Sequence, residues 1–252
     1  MTIPLQRGII YGPVRSRRLG RSLGINLLPT SYKICTFNCL YCQYGWTRIH
    51  GRFLTDRDQW PQVNEVYNAL ERSLREISPL PDYITFSGNG EPTIYPDFPV
   101  IVEGVMKLRN DLAPHAKVAI LSNSTMVTDE NILATLSRLD VKIMKMDCGT
   151  IECFKSYNRP AKGVYFEEIV KGLAKLENIT IQSLFSGGPK GNFYQENIEA
   201  WIDNLQQISP SMVQLYTLDR SFPSDKIVML NKDRLIELKE RLNEFGIDSE
   251  VY

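Results

Sequence analysis

Short apolar runs alternate with amphipathic segments along the chain, and this alternation constrains the fold more than any other feature. The runs Gly24–Leu28, Tyr83–Ser87, Lys117–Ser122, Val141–Met146, Ile179–Phe185 and Met212–Leu218 are each short enough for a buried strand. Segments with helical spacing follow them, at Gln59–Ile77, Pro99–Arg109, Asp129–Arg138, Phe166–Glu177, Gln195–Gln207 and Lys232–Phe245. In the first of these, Val63, Val66, Tyr67, Leu70, Leu74 and Ile77 recur on one helical face. Thr128 is placed to cap the third. Strand–helix units in strict alternation imply a parallel sheet with right-handed crossovers. A doubly wound sheet and an incomplete barrel both satisfy the pattern. Either one puts the chemistry at the carboxyl ends of the strands.

The chain reads as one unit over residues 1–252, with a basic extension at 1–22 and an α/β core at 23–252. Basic and acidic side chains balance overall, 29 of each. The balance hides a segregation: residues 1–57 carry nine basic groups against one acid, Asp56. Such a segment can attract an anionic partner, or it can neutralise a negatively charged centre and tie down the loops around it. No apolar run approaches the ~20 residues of a membrane helix. The N-terminus lacks the apolar core of a signal peptide, so a cytoplasmic location is expected.

Five cysteines are present, and three fall within eight residues, as Cys35-Thr-Phe-Asn-Cys39-Leu-Tyr-Cys42. An odd count in a reducing compartment points to metal or redox chemistry and away from a disulfide framework. A cubane 4Fe–4S cluster normally takes four cysteines. Three leave one iron open to an exogenous ligand, as an open position marks a catalytic metal site. A closed zinc site would need a fourth local ligand, and the nearest histidine is His50.

This Cys-x3-Cys-x2-Cys motif, with Tyr41 before the third cysteine, resembles the signature of the radical S-adenosylmethionine (SAM) superfamily. The resemblance implies a 4Fe–4S cluster on Cys35, Cys39 and Cys42, with SAM on its open iron. It implies reductive cleavage of SAM to a 5′-deoxyadenosyl radical that abstracts hydrogen from a substrate. The motif Ser87-Gly88-Asn89-Gly90-Glu91 is similar to the family's glycine-glycine-glutamate motif, which runs along the methionine end of SAM. Glycine permits close backbone approach, and carbonyls with a carboxylate accept from an ammonium. Ser122, Asn123, Lys145 and Asp147 end the next two strands, where family members often meet the ribose or carboxylate of SAM.

Longer segments carry the resemblance across most of the chain: Tyr11 to Asn26, Asn158-Arg159-Pro160, Gln182 to Gly187 and Gln214 to Arg220. Together they resemble the stand-alone radical SAM proteins grouped with the wyosine-synthesis, tRNA-modifying enzymes. That resemblance implies a partial (β/α)6 TIM-like barrel of parallel strands. The wyosine enzymes carry further cysteines near the N-terminus, whereas this chain has none before Cys35. Arg17, Arg18, Arg159, Gln182, Tyr216 and Arg220 are the candidate substrate contacts. Each can equally tie strands to loops. Cys148 and Cys153 are read chiefly as small buried residues. The expected partners are a one-electron reductant of flavodoxin or ferredoxin type and a substrate, anionic in character, that is an RNA base, a peptide or a small metabolite. A glycyl-radical activating enzyme and an iron–sulfur carrier or sensor without SAM cleavage are the alternatives.

Overall fold

The computed structural model describes residues 2–52, 54, 57 and 59–252, so Asp56 lies outside them. The chain runs through β1 (Ile10–Ser16), β2 (Gly20–Ile25), β3 (Ile34–Cys35), β4 (Ile49–His50), α1 (Val63–Glu76), β5 (Tyr83–Phe86) and α2 (Phe98–Leu112). It continues through β6 (Lys117–Ser122), α3 (Glu130–Ser137), β7 (Val141–Lys145), α4 (Ile151–Cys153), α5 (Phe166–Leu173) and β8 (Ile179–Leu184). Last come α6 (Gln195–Ile208), β9 (Met212–Tyr216), α7 (Lys232–Glu244) and β10 (Ser249–Val251).

Among the described residues, one sheet has the order β1-β2-β5-β6-β7-β8-β9-β10, all parallel except β1. This order decides between the two architectures. Strand position follows chain order with no reversal, so every right-handed crossover lies on the same face of the sheet. A doubly wound fold would instead reverse direction at a switch point. The sheet curls into a partial barrel with the helices outside.

Alternate residues sort to the two faces, as strand geometry requires. Leu23, Ile25, Ile84, Phe86, Val118, Ile120, Met144, Ile181, Val213 and Leu215 point outward, and the main core between strands and helices contains all of them. Each such side chain contributes about 1.5–3 kcal/mol when fully buried. The inner face is more polar and carries Ser22, Thr85, Lys145, Gln182 and Tyr216. At the amino ends of the strands, Leu19 packs with Ala119 and Ile143 and closes the lumen from below.

Three features depart from the sequence reading. The basic residues before the core form a β-hairpin, β1 on β2, and the boundary drawn at residue 22 falls inside β2. Gly24 lets this hairpin close, because a Cβ there would lie 2.1 Å from the Tyr11 ring. A further strand, β10, adds to the sheet beside β9. Helix α3 is capped by Asp129, which accepts from the Asn131 and Ile132 amides, and not by Thr128. Thr128 ends the preceding 3-10 turn and accepts from Arg52.

Candidate active site at the carboxyl ends of the strands

The loop carrying the three cysteines is anchored on both sides by backbone hydrogen bonds. On one side Ile34 N donates to Asn89 O at 3.2 Å, and Glu91 N donates back to Ile34 O at 3.3 Å. On the other, Asn38 N donates to Asn158 O at 3.0 Å, Leu40 N to Tyr157 O at 3.0 Å and Ala161 N to Thr36 O at 2.8 Å. The second anchor is a single π-helical turn, Phe154–Asn158, that continues α4. Such turns are rare and recur at functional sites.

Cys35, Cys39 and Cys42 all line one cavity of about 310 Å³. Burial pushes Cys35 up to about 11 and Cys39 up to about 12. Lys33 is 4% exposed, donates to Gly45 O at 3.0 Å, and sets a cation beside the thiols. Two amides reach the sulfurs: Asn123 Nδ2 lies 3.4 Å from Cys35 Sγ, and Asn158 Nδ2 lies 3.5 Å from Cys39 Sγ. Among the described residues, no three His, Cys, Asp or Glu side chains are gathered closely enough to hold a single metal ion. The three sulfurs stand around the cavity.

The Gly88–Glu91 loop forms the facing wall. Gly90 has φ +148, and a Cβ there would lie 1.6 Å from Ile34 O, so only glycine fits against the cysteine loop. Glu91 is 1% exposed. Its Oε1 accepts from Thr93 N, Thr93 Oγ1 and Ser122 Oγ, and its Oε2 from Asn123 N at 2.6 Å. The carboxylate thus pins the end of β6 to this loop. Burial raises its pKa, and those hydrogen bonds act in the opposite sense.

Asn89 and Asp147, both expected to meet the cofactor, are set back from this cavity. Asn89 is fully buried and donates to Gln6 O and Pro29 O, both at 2.9 Å. Asp147 lies behind Tyr41 and accepts from Lys145 at 2.7 Å, Leu184 N at 2.9 Å, Asn158 at 2.8 Å and the Tyr41 hydroxyl. Lys145 does face the cavity, and it donates to Tyr216 OH at 2.7 Å. Burial opposes the Lys145 charge, but Asp147 and Tyr216 outweigh it and raise its pKa. Gly88, Ser122, Asn123 and Tyr41 also line the cavity.

Of the expected substrate contacts, Gln182 and Tyr216 reach the same cavity. Arg17, Arg18 and Arg220 line an adjoining lumenal cavity of about 390 Å³, which shares Tyr11, Tyr41, Ser87, Leu121, Leu184 and Tyr216 with the first. Arg159 is elsewhere. Its guanidinium sits over the Trp46 ring, on a surface depression outside the cysteine loop. It ends the π turn with φ +51, and the turn directs its side chain outward. Cys148 and Cys153 are buried with their sulfurs 2.8 Å apart.

Sequence reasoning missed Tyr11, Lys33 and Asn158 as site residues. Lys33 stands two residues before Cys35, a signal that was available. Tyr11 and Asn158 reach the site only through tertiary pairing.

A family model described as the Radical SAM superfamily matches residues 30–205. The chain belongs to the radical SAM superfamily. The radical SAM match covers the cysteine loop, the Gly88–Glu91 loop and strands β3 to β8. A Synechocystis UPF0026 protein is 31% identical over 85% of this chain and 77% of its own length. A Brachyspira hyodysenteriae protein named GTPase Obg is 28% identical over 92% of this chain, which spans only 33% of that protein's length. TYW1 with a lysine–pyruvate adduct bound has the same fold, at TM-score 0.65 and 16% identity, covering 89% of this chain and 73% of TYW1. A radical SAM methyltransferase from Sphaerobacter thermophilus matches at TM-score 0.67 and 15% identity, over 92% of this chain and 65% of that one. Streptococcus suis SuiB bound to S-adenosylmethionine matches at 0.64 and 12%, over 90% and 50%. Among the described residues, no helix is long and apolar enough to cross a membrane.

Proposed function

We propose that this chain is an enzyme that holds a 4Fe–4S cluster through Cys35, Cys39 and Cys42, cleaves SAM reductively, and modifies a substrate held in the barrel lumen. One observation carries the reading. Three thiols, the Gly88–Glu91 loop and Lys145 line a single cavity that adjoins the lumen. The donor set fits the cluster: three sulfurs leave a fourth corner free, and metal binding ionises thiols that burial keeps protonated. The cluster and SAM, when bound, supply a one-electron cleavage of the sulfonium to methionine and a 5′-deoxyadenosyl radical, which takes a hydrogen atom from the substrate.

The chain's own residues set the stage for that chemistry. Lys33 places positive charge beside the cysteines, and Asn123 and Asn158 donate to their sulfurs. The Gly88–Gly90 backbone and Glu91 Oε2 offer acceptors for the SAM ammonium group. Lys145 offers a cation to its carboxylate. Leu121 and Leu184 line the passage to the lumen with apolar surface, which excludes water from a reactive intermediate. A reductant of flavodoxin or ferredoxin type supplies the electron. A simple iron–sulfur carrier has no use for the Gly88–Glu91 loop, which disfavours that alternative.

The test is anaerobic reconstitution with iron and sulfide, then SAM and dithionite, with detection of 5′-deoxyadenosine. Wild type should form it, and the triple variant Cys35→Ala, Cys39→Ala, Cys42→Ala should not. A fully loaded wild type that leaves SAM intact overturns the reading.

A further inference from the structure

The guanidinium of Arg18, at the β1–β2 turn, is clamped between two rings in the lumenal cavity, and among the described residues no side chain accepts a hydrogen bond from it. The β1–β2 turn is set by Ser16 Oγ, which accepts from Arg18 N at 3.2 Å and Leu19 N at 3.1 Å. Leu19 enters the floor of the lumen, and Arg18 beside it points into the cavity above. Its Cζ sits 4.5 Å from the Tyr216 ring centroid and 4.8 Å from that of Tyr252. Two rings hold the group in place by cation–π attraction, but they accept no hydrogen bond in its plane. Among the described residues, no side chain forms a salt bridge with Arg18, and its Nε is buried without a partner. Two other arginines that line the cavity differ. Arg17 is paired with Asp219 at 2.7 Å, and Arg220 donates to Gln43 at 3.4 Å.

Arg15, Arg17 and Arg220 also line this cavity, the last two already partnered, and most of the remaining wall is uncharged. Ser22 Oγ and Thr85 Oγ1 are 2.7 Å apart and bonded to each other, as are Tyr11 OH and Ser87 Oγ. The one acid that lines it is Asp219, already held by Arg17. A half-buried, ring-clamped guanidinium with free N–H groups is an uncompensated charge in a low-dielectric site, and such groups are paired when the site is filled. Its planar fork matches a carboxylate or a phosphate. Tyr216 lies under Arg18 and accepts from Lys145, so the anion site and the cofactor cavity share one wall. A volume of about 390 Å³ admits a metabolite or a single nucleotide, not a folded chain.

We propose that the lumen binds a small substrate by a carboxylate or phosphate group seated on Arg18, with the rest of the molecule extending past Tyr216 toward the cysteines. This assignment of substrate class rests on the radical SAM reading above, but its test does not. Cluster-reconstituted wild type, Arg18→Gln and Arg18→Lys are titrated calorimetrically, without reductant, with inorganic phosphate and with malonate at constant ionic strength. Wild type should bind at least one of the two, and the better ligand tells phosphate from carboxylate substrates. Arg18→Gln should bind it about ten- to a hundred-fold more weakly, as for loss of charge-assisted hydrogen bonds. Arg18→Lys keeps the charge and loses the fork, so it should also weaken malonate, and it decides the matter if the glutamine variant fails to fold. Absence of binding by wild type, or equal affinity in the folded variants, overturns the proposal. SAM cleavage is scored separately on the same samples: anion binding without cleavage sinks the enzymatic reading alone, and cleavage without Arg18-dependent binding sinks this one alone.

Discussion

The side-chain amide of Asn158 reaches both Cys39 Sγ, at 3.5 Å, and Asp147 Oδ2, at 2.8 Å. One residue therefore links the cysteine loop to the buried carboxylate behind Tyr41. An N–H donated to a cluster sulfur favours the more negative, reduced state. Asn158→Leu should retain iron yet shift the cluster midpoint potential about 20–60 mV more negative, the one-electron equivalent of one hydrogen bond. Redox titration followed by electron paramagnetic resonance measures it. An unchanged potential would show that the amide serves only the fold.

Cys148 and Cys153 give two thiols, too few for a second cubane, and both are buried. The double variant Cys148→Ala, Cys153→Ala should carry the same iron and sulfide per chain as wild type. Loss of about half the iron would reveal a second centre.

Glu91 holds four donors at the junction of β6 and the Gly88–Glu91 loop. Glu91→Ala strands them and should cost about 1–3 kcal/mol in stability per unsatisfied buried group. SAM affinity, by calorimetry on cluster-loaded protein, should fall about ten- to a hundred-fold. The raised pKa of Glu91 has a second consequence. In the interval above the unfolded carboxyl value, the native state binds more protons than the unfolded one, so this group's contribution to stability is present at low pH and is lost as pH rises. Denaturant melts from pH 4 upward should show the stability of wild type declining relative to Glu91→Gln, and parallel profiles would refute it.

Lys145 and Asp147 form an ion pair whose side chains are 14% and 1% exposed. Removing the cation leaves a buried carboxylate without its counter-charge, a loss of about 3–5 kcal/mol. Lys145→Met should melt about 6–20 °C below wild type. A melting temperature within a degree or two of wild type would mean that Leu184 N, Asn158 and Tyr41 suffice for Asp147.

Strand–helix alternation and the three-cysteine spacing were legible in the sequence because both are local. A strand of five residues, or three thiols within eight, needs no knowledge of what lies across the molecule. Hence β5 to β9, the cysteine set and the Gly88–Glu91 loop were read close to where they stand. The hairpin strand β1 escaped because Tyr11, Val14 and the arginines lack a periodic apolar face, and only pairing with β2 orders them. Asn89 and Asp147 carry the right chemistry at strand ends, but whether such a side chain faces a cavity or the packing behind it depends on neighbours far along the chain. Arg17, Arg18 and Arg159 are alike as letters. Tertiary structure separates them, because one meets Asp219 at the surface, one turns outward at Trp46, and Arg18 alone is clamped between two rings supplied by residues about two hundred positions away.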